Sequence, residues 1–253
     1  LTEDIEVIYE MDKILFIKIT FVVGQFLLLY HFFPILSFPS LFCFFLLIGI
    51  NFAIGYKWKD FCSITSLAIW FTLISIFLYQ NNIENSNSSL LLKYLFSSQS
   101  ALMWMAILLW GTTISYFTAV FFKNSFMHML IKSLSRLCIA FGLSGMLTRW
   151  YESYLIFSYD GHFPLSNEFE VAIWLVLASS LLFIFFDDRY SLGQVGGILF
   201  LILSGLTSEI FWYDSQDWEL QPLVPALQSV WIRIHVPASF IGYGCFAFAA
   251  AVG

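Results

Sequence analysis

"EFEVAIWLVLASSLLFIFFDDRYSLGQVGGILFLILSGL", residues 168–206, contains one apolar run, near 169–186, and most of a second, near 193–211, separated by a short polar turn that carries Arg189. A helix needs about 20 mainly apolar residues to cross a hydrocarbon core about 30 Å thick. Both runs approach that length, so the stretch reads as two membrane helices joined by a tight turn. The same reading applied outward gives further spans at 14–33, 36–56, 61–79, 101–122 and 129–149, and an eighth that begins near Pro237. From Pro237 to Gly253 a helix would extend only about 25 Å at 1.5 Å per residue. The expected fold is therefore all-α: a polytopic transmembrane helix bundle of about eight spans, the last incomplete.

Composition agrees with this class. The chain is 60% hydrophobic and 11% charged, with 30 Phe among 253 residues and a mean hydropathy of +0.83, far from the balance of soluble domains. In a membrane protein the placement of Lys and Arg matters more than the net charge of -6, and no nucleic-acid partner follows from that charge. Cys43, Cys62, Cys138 and Cys245 are far apart and form no CxxC motif, which excludes a disulfide framework and a CxxCH haem attachment site within this chain. The N-terminus is acidic at Glu3, Asp4, Glu6, Glu10 and Asp12, where a cleavable signal peptide would be basic.

Basic residues set the expected orientation. With a cytoplasmic N-terminus, Lys13, Lys57, Lys59, Lys123, Lys132, Arg136 and Arg189 fall on the inner side, and Lys93, Arg149 and Arg233 on the outer. Seven against three satisfies the positive-inside rule. Lys18 lies within the first span near its inner end and is expected to snorkel to the interface. The polar, Asn/Ser-rich stretch 80–100 divides three N-terminal spans (residues 1–79) from the remainder, residues 101–253. Glycines such as Gly142 with Gly145, and Gly193 with Gly197, are expected at close helix contacts.

The sequence contains no Gly-rich phosphate loop, HExxH or nucleophile elbow, so chemistry falls to four histidines, a few carboxylates and many aromatics. No span holds two histidines, which argues against a cross-membrane bis-imidazole haem site. His31 and His128 sit at span ends and read as interfacial side chains. His162 lies in a predicted outer loop, 150–168, where Ser166 or Asn167 is placed to cap the following helix. The loop 212–236 reads as an acidic, aromatic segment followed by a short amphipathic helix after Pro225. Leu227, Val230, Trp231 and Ile234 form its apolar face, with His235 at the edge. Pro237 disfavours helical geometry at Val236, so a break is expected between His235 and the last span. Such a site suits an iron porphyrin: the imidazole would bind the iron, Trp231 would cover the macrocycle, and Arg233 would pair with a propionate. An interfacial histidine among belt aromatics explains the same residues without a ligand.

"LTRWYESY" (147–154), "GHFPLSNEFEVAIW" (161–174) and "WELQPLVPALQSVWIRIHVPASFIGYGCFAFAAAVG" (218–253) resemble the integral-membrane subunit of the system II cytochrome c synthases, the CcsA or ResC family, called CcsB in many proteobacteria. The resemblance implies a haem-handling protein of an energy-transducing membrane: a bacterial inner membrane, or an organelle inner or thylakoid membrane. Its implied role is to present b-type haem, in transit, at the outer face for thioether attachment to the CxxCH motif of apocytochrome c. It implies His235 as an axial ligand to the haem iron, and a ResB-like partner subunit with a soluble outer domain. His162 belongs to a signature loop with no ligand role assigned. The family's Trp-rich WGxxWxWD motif and its later histidines do not occur in these residues. Two other readings stay open: a non-catalytic structural subunit derived from this family, and a transporter. The transporter reading has few intramembrane charges to draw on, since only Lys18 and Glu209 are expected within spans.

Overall fold

A computed structural model describes residues 2–252 except 37, 123, 159–160, 194, 214–217, 224, 226–228 and 230; within its helices the side chains of residues 2–11, 13, 38–40, 43, 213, 232–233 and 252 are also left undescribed. Eight long helices make the architecture. They are α1 (Thr2–Phe32), α2 (Phe38–Lys57), α3 (Lys59–Tyr79), α5 (Ser98–Phe121), α6 (Ser125–Phe157), α7 (Glu168–Tyr190), α8 (Val195–Tyr213) and α9 (Ile232–Val252), with a single turn, α4 (Asn85–Ser88), and a π-helical turn (Leu92–Phe96) between α3 and α5. Seven of the helices are long and apolar enough to cross a membrane. The protein is a multi-pass membrane protein.

The helices alternate in direction, so with the N-terminus on the inner side, as the basic residues lead one to expect, the outer ends are the C-termini of α1, α3, α6 and α8 and the N-termini of α2, α5, α7 and α9. α3 and α6 are the central pair: α1 and α2 lie on α3, α3 and α5 lie on α6, α8 packs on α5 and α7, and α9 packs on α7 and α8. Two apolar cores result. One joins α3 and α5 to α9 around Leu102, Met105, Ile139, Leu177 and Phe200; the other joins α1, α2 and α3 to the outer end of α6 around Phe32, Phe44 and Trp150. The N-terminal helices thus share a core with the RWYESY motif.

Two expectations are corrected. α6 does not end near residue 149: it continues to Phe157, and its 33 residues run about 50 Å at 1.5 Å per residue, well beyond the hydrocarbon core. α9 begins at Ile232 and runs through Pro237 as one 21-residue helix, about 31 Å long and sufficient for a crossing. Pro237 forgoes only the bond to the Arg233 carbonyl, one turn from the helix start, so the loss is local. The amphipathic helix expected from Pro225 falls largely on residues outside the described ones, and Ser229 lies outside any helix.

Gly142 and Gly145 serve close contact: a Cβ at Gly142 would stand 2.6 Å from Leu177 and Met105, and one at Gly145 2.8 Å from Leu102. Gly193 does not, because it sits in the α7–α8 turn at φ +52; Gly196 takes that part, its Cβ position lying 2.6 Å from Phe183 and Tyr116.

Candidate functional site at the outer end

The outer turns of α6 carry a dense set of buried polar contacts. Arg149 is 1% exposed and Glu170, on the first turn of α7, is fully buried. Their Nε–Oε1 distance is 2.6 Å. Arg149 also donates from Nη1 to the Trp218 carbonyl at 2.8 Å and from Nη2 to the Glu219 carbonyl at 3.3 Å, and it lies 5.4 Å over the Phe169 ring. The second oxygen of Glu170 accepts from the Ser166 backbone N–H at 2.6 Å and from its hydroxyl at 2.8 Å. One ion pair therefore ties α6, the 158–167 loop, α7 and residues 218–219 together. The Arg side chain supplies a rigid planar fork of donors, which is what permits a carboxylate and two carbonyls to be held at once.

One turn further out, Glu152 is buried, and among the described residues no cation pairs with it. It accepts from Tyr79 Oη at 2.6 Å, from the Ser98 N–H at 2.9 Å and from Ser98 Oγ at 2.5 Å. Ser98 opens α5, so the carboxylate sits at the positive end of that helix. Beside it Trp150, 1% exposed, packs against Phe32 at 5.1 Å and Phe44 at 5.6 Å, and meets Phe163 edge-on at 5.0 Å. Phe163 stacks on Trp174 at 5.4 Å, whose indole N–H donates to the Pro164 carbonyl at 3.0 Å.

His162 lies inside this packing. It is 3% exposed, its ring stacks against Phe157 at 6.0 Å, and its backbone N–H and carbonyl are both held by the Ser153 hydroxyl, at 3.1 and 3.0 Å. The preceding Gly161 is required by contact: a Cβ there would stand 2.2 Å from the Tyr154 ring. Asn167 caps α7 as expected, its side chain accepting from the Glu170 N–H at 2.9 Å.

His235 is the opposite case. It is exposed on the first turn of α9, with its N–H donating to the Trp231 carbonyl at 2.8 Å and its own carbonyl accepting from Ser239 Oγ at 2.9 Å. Trp231 is 75% exposed and Ile234 46%; the side chain of Arg233 lies outside the described residues. α7 and α9 run in the same direction, with Phe186 stacked on Phe248 at 5.0 Å and a Gly244 Cβ position 3.3 Å from the Ser179 backbone nitrogen. Counting equal rises outward from those two contacts brings His235 level with Glu170 to Ile173. Its imidazole is thus open to a ligand at the depth where Arg149 and Glu170 are sealed.

Arg149, Glu152 and Glu170 were not singled out by the sequence reading, which counted Arg149 as an outer-loop cation and placed no charge other than Lys18 and Glu209 within spans. The available signal was three ionisable residues inside otherwise apolar helical runs. Among the described residues no three His, Cys, Asp or Glu side chains gather as a metal-binding group, and His31, His128, His162 and His235 stand on four separate elements.

Residues 165–253, from the α7 cap through the 218–231 loop to the end of α9, match the family model "Cytochrome C assembly protein". The chain is 30% identical over 142 residues to "Cytochrome c biogenesis protein CcsA" of Trieres chinensis, covering 54% of this chain and 43% of that protein. Over this stretch the chain is similar to CcsA proteins. The CcsA of Coffea arabica is 35% identical over 105 residues, 40% of this chain and 30% of that protein; the CcsA of Cyanophora paradoxa is 28% identical over 139 residues, 52% of this chain and 39% of that protein. The chain therefore spans less than half the length of these CcsA relatives. No solved structure matches it. Glu170, Trp218, Trp231 and His235 fall inside the residues matched by the cytochrome C assembly model, whereas Arg149, Glu152 and His162 precede them.

Proposed function

We propose that the protein acts in cytochrome c biogenesis, holding haem as substrate at the outer face of the membrane for covalent attachment to the CxxCH motif of apocytochrome c. The observation that carries this reading is the position of His235. Within the segment matched by the cytochrome c assembly family, an exposed imidazole stands on the first turn of a full-length helix, beside an exposed Trp231 and Ile234.

In this reading His235 ligates the haem iron through a neutral ring nitrogen, as imidazole does in many haem proteins. Trp231 and Ile234 offer apolar surface to the macrocycle, and Arg233 pairs with a propionate. His162 acts as a packing element of the supporting loop. The chemistry is an addition: each cysteine S–H adds across a vinyl double bond, sulfur bonding to one vinyl carbon and hydrogen going to the other, with no net oxidation. The chain contributes orientation, and the thiol and vinyl groups supply the reaction. Arg149 and Glu170 serve by fixing residues 218–219, where the segment leading to His235 leaves the bundle. A ResB-like partner with a soluble outer domain completes the site in this reading, and the membrane is an energy-transducing one.

The test is the haem absorbance of membranes that contain the chain together with its natural partner subunit. His235→Ala removes most of the Soret band and of cytochrome c assembly, while the amount of protein in the membrane stays the same. Unchanged absorbance with normal cytochrome c assembly in that variant would sink the ligand assignment.

A further inference from the structure

The inner half of the molecule holds a feature with no part in the outer site. α1 and α2 both lie on α3, and they meet where Phe21 touches Phe52 edge to face at 5.7 Å. A Cβ at Gly55 would stand 3.3 Å from the same Phe21 ring. Around this contact runs a groove of about 560 Å³, with Phe21, Phe52 and Cys62 in its apolar wall and Lys18, Tyr56 and Lys57 at its inner mouth. Lys18 lies one turn inside the apolar segment Ile14–Phe32, and its ammonium stands 5.1 Å over the Tyr56 ring. Tyr56 is 78% exposed, so the mouth opens at the surface. Asp60, the nearest carboxylate in sequence on α3, is engaged by Arg136. Among the described residues no carboxylate pairs with Lys18 or Lys57.

A cation inside a membrane span marks a functional site unless it is paired, and a basic pocket between helices on the inner side is suited to an anionic head group. Snorkelling alone explains where the Lys18 ammonium goes, but not why its aliphatic stem borders an apolar groove shared with a second lysine and a tyrosine. We propose that this groove binds an anionic phospholipid of the inner leaflet. Its phosphate would rest between Lys18 and Lys57 with the Tyr56 hydroxyl beside it, and one acyl chain would lie along Phe21 and Phe52. The charge complementarity sits at the mouth and the hydrocarbon complementarity below it, the order in which a lipid presents those groups.

The test uses the purified full chain in non-ionic detergent, with lipid retention read by native mass spectrometry for dioleoylphosphatidylglycerol and dioleoylphosphatidylcholine. The phosphatidylglycerol is expected to bind more tightly, and Lys18→Gln to weaken it about fivefold, the effect of one lysine at a lipid surface, without changing retention of the phosphatidylcholine. Lys57→Gln acts in the same direction and carries the test if Lys18→Gln fails to fold. Ala53→Phe, at an exposed position lining the groove, displaces the lipid although both lysines remain. Lys132→Gln, an exposed lysine near the inner end of α6, leaves retention unchanged. Equal retention of the two lipids, an equal loss in Lys132→Gln, or undiminished binding in Ala53→Phe overturns the proposal: the first two reduce it to general surface attraction, and the third removes the groove.

Discussion

Glu170 and His235 lie at nearly the same depth on neighbouring parallel helices, α7 and α9, in opposite surroundings. Glu170 is fully buried and satisfied by Arg149 and Ser166, whereas His235 is exposed, and among the described residues its hydrogen bonds use only its backbone. A buried ion pair is expensive to desolvate and is poor evidence for net stability; its clearest contribution is to fix one arrangement among several. Here the fixed arrangement is the junction of α6, α7, the 158–167 loop and residues 218–219. The exposed imidazole is attached to that junction through the segment from Trp218 to Ile232. In the proposed reading, the buried wiring on one side holds the bundle while the open side chain on the other presents the ligand.

Four single variants and one double variant break or sharpen this contrast. Arg149→Met leaves Glu170 buried and uncompensated, and is expected to lower stability by about 3–5 kcal/mol; the double variant Arg149→Met with Glu170→Leu should be less destabilised than Arg149→Met alone. Thermal unfolding in detergent reads both, and a double variant destabilised at least as much as Arg149→Met alone would show that removing the carboxylate does not relieve the loss of its partner. Gly161→Ala drives a methyl group into the Tyr154 ring and should cost about 1–3 kcal/mol. Limited proteolysis within 158–167 is then expected to rise, and an unchanged cleavage pattern would mean that the loop does not depend on this contact. Glu152→Gln keeps an acceptor for Tyr79 or Ser98 but removes the charge at the start of α5, and a loss of about 1–2 kcal/mol is expected in the same unfolding measurement. His235→Ala should change stability by less than about 0.5 kcal/mol, as an exposed substitution does, while haem absorbance falls. A large stability loss in this last variant would make His235 a structural residue and erase the contrast.

Some features of the site could be read from the sequence and others could not. The Asn167 cap was legible because a cap is local: a side chain reaches a backbone N–H three residues on. The place of His235 near the start of the last span followed from counting spans, whereas its exposure did not. The continuity of α9 through Pro237 was not legible, since a proline near a helix start forgoes a single bond and the packing of α9 on α7 outweighs that local preference. Gly193 was misread for a related reason. Its i, i+4 spacing with Gly197 fits a helix face, but the chain turns at Gly193, and the close approach to Phe183 and Tyr116 falls on Gly196.

By itself the sequence determined a polytopic helical membrane protein, because a span of about 20 apolar residues is fixed by the thickness of the bilayer and is written along the chain. It also carried the family resemblance. Only the tertiary structure decided which polar residues are sealed and which are open. Arg149 and Glu170 are 21 residues apart and Tyr79 and Glu152 are 73 apart, and the energy of a buried charge depends on what other helices bring to it rather than on its neighbours in sequence.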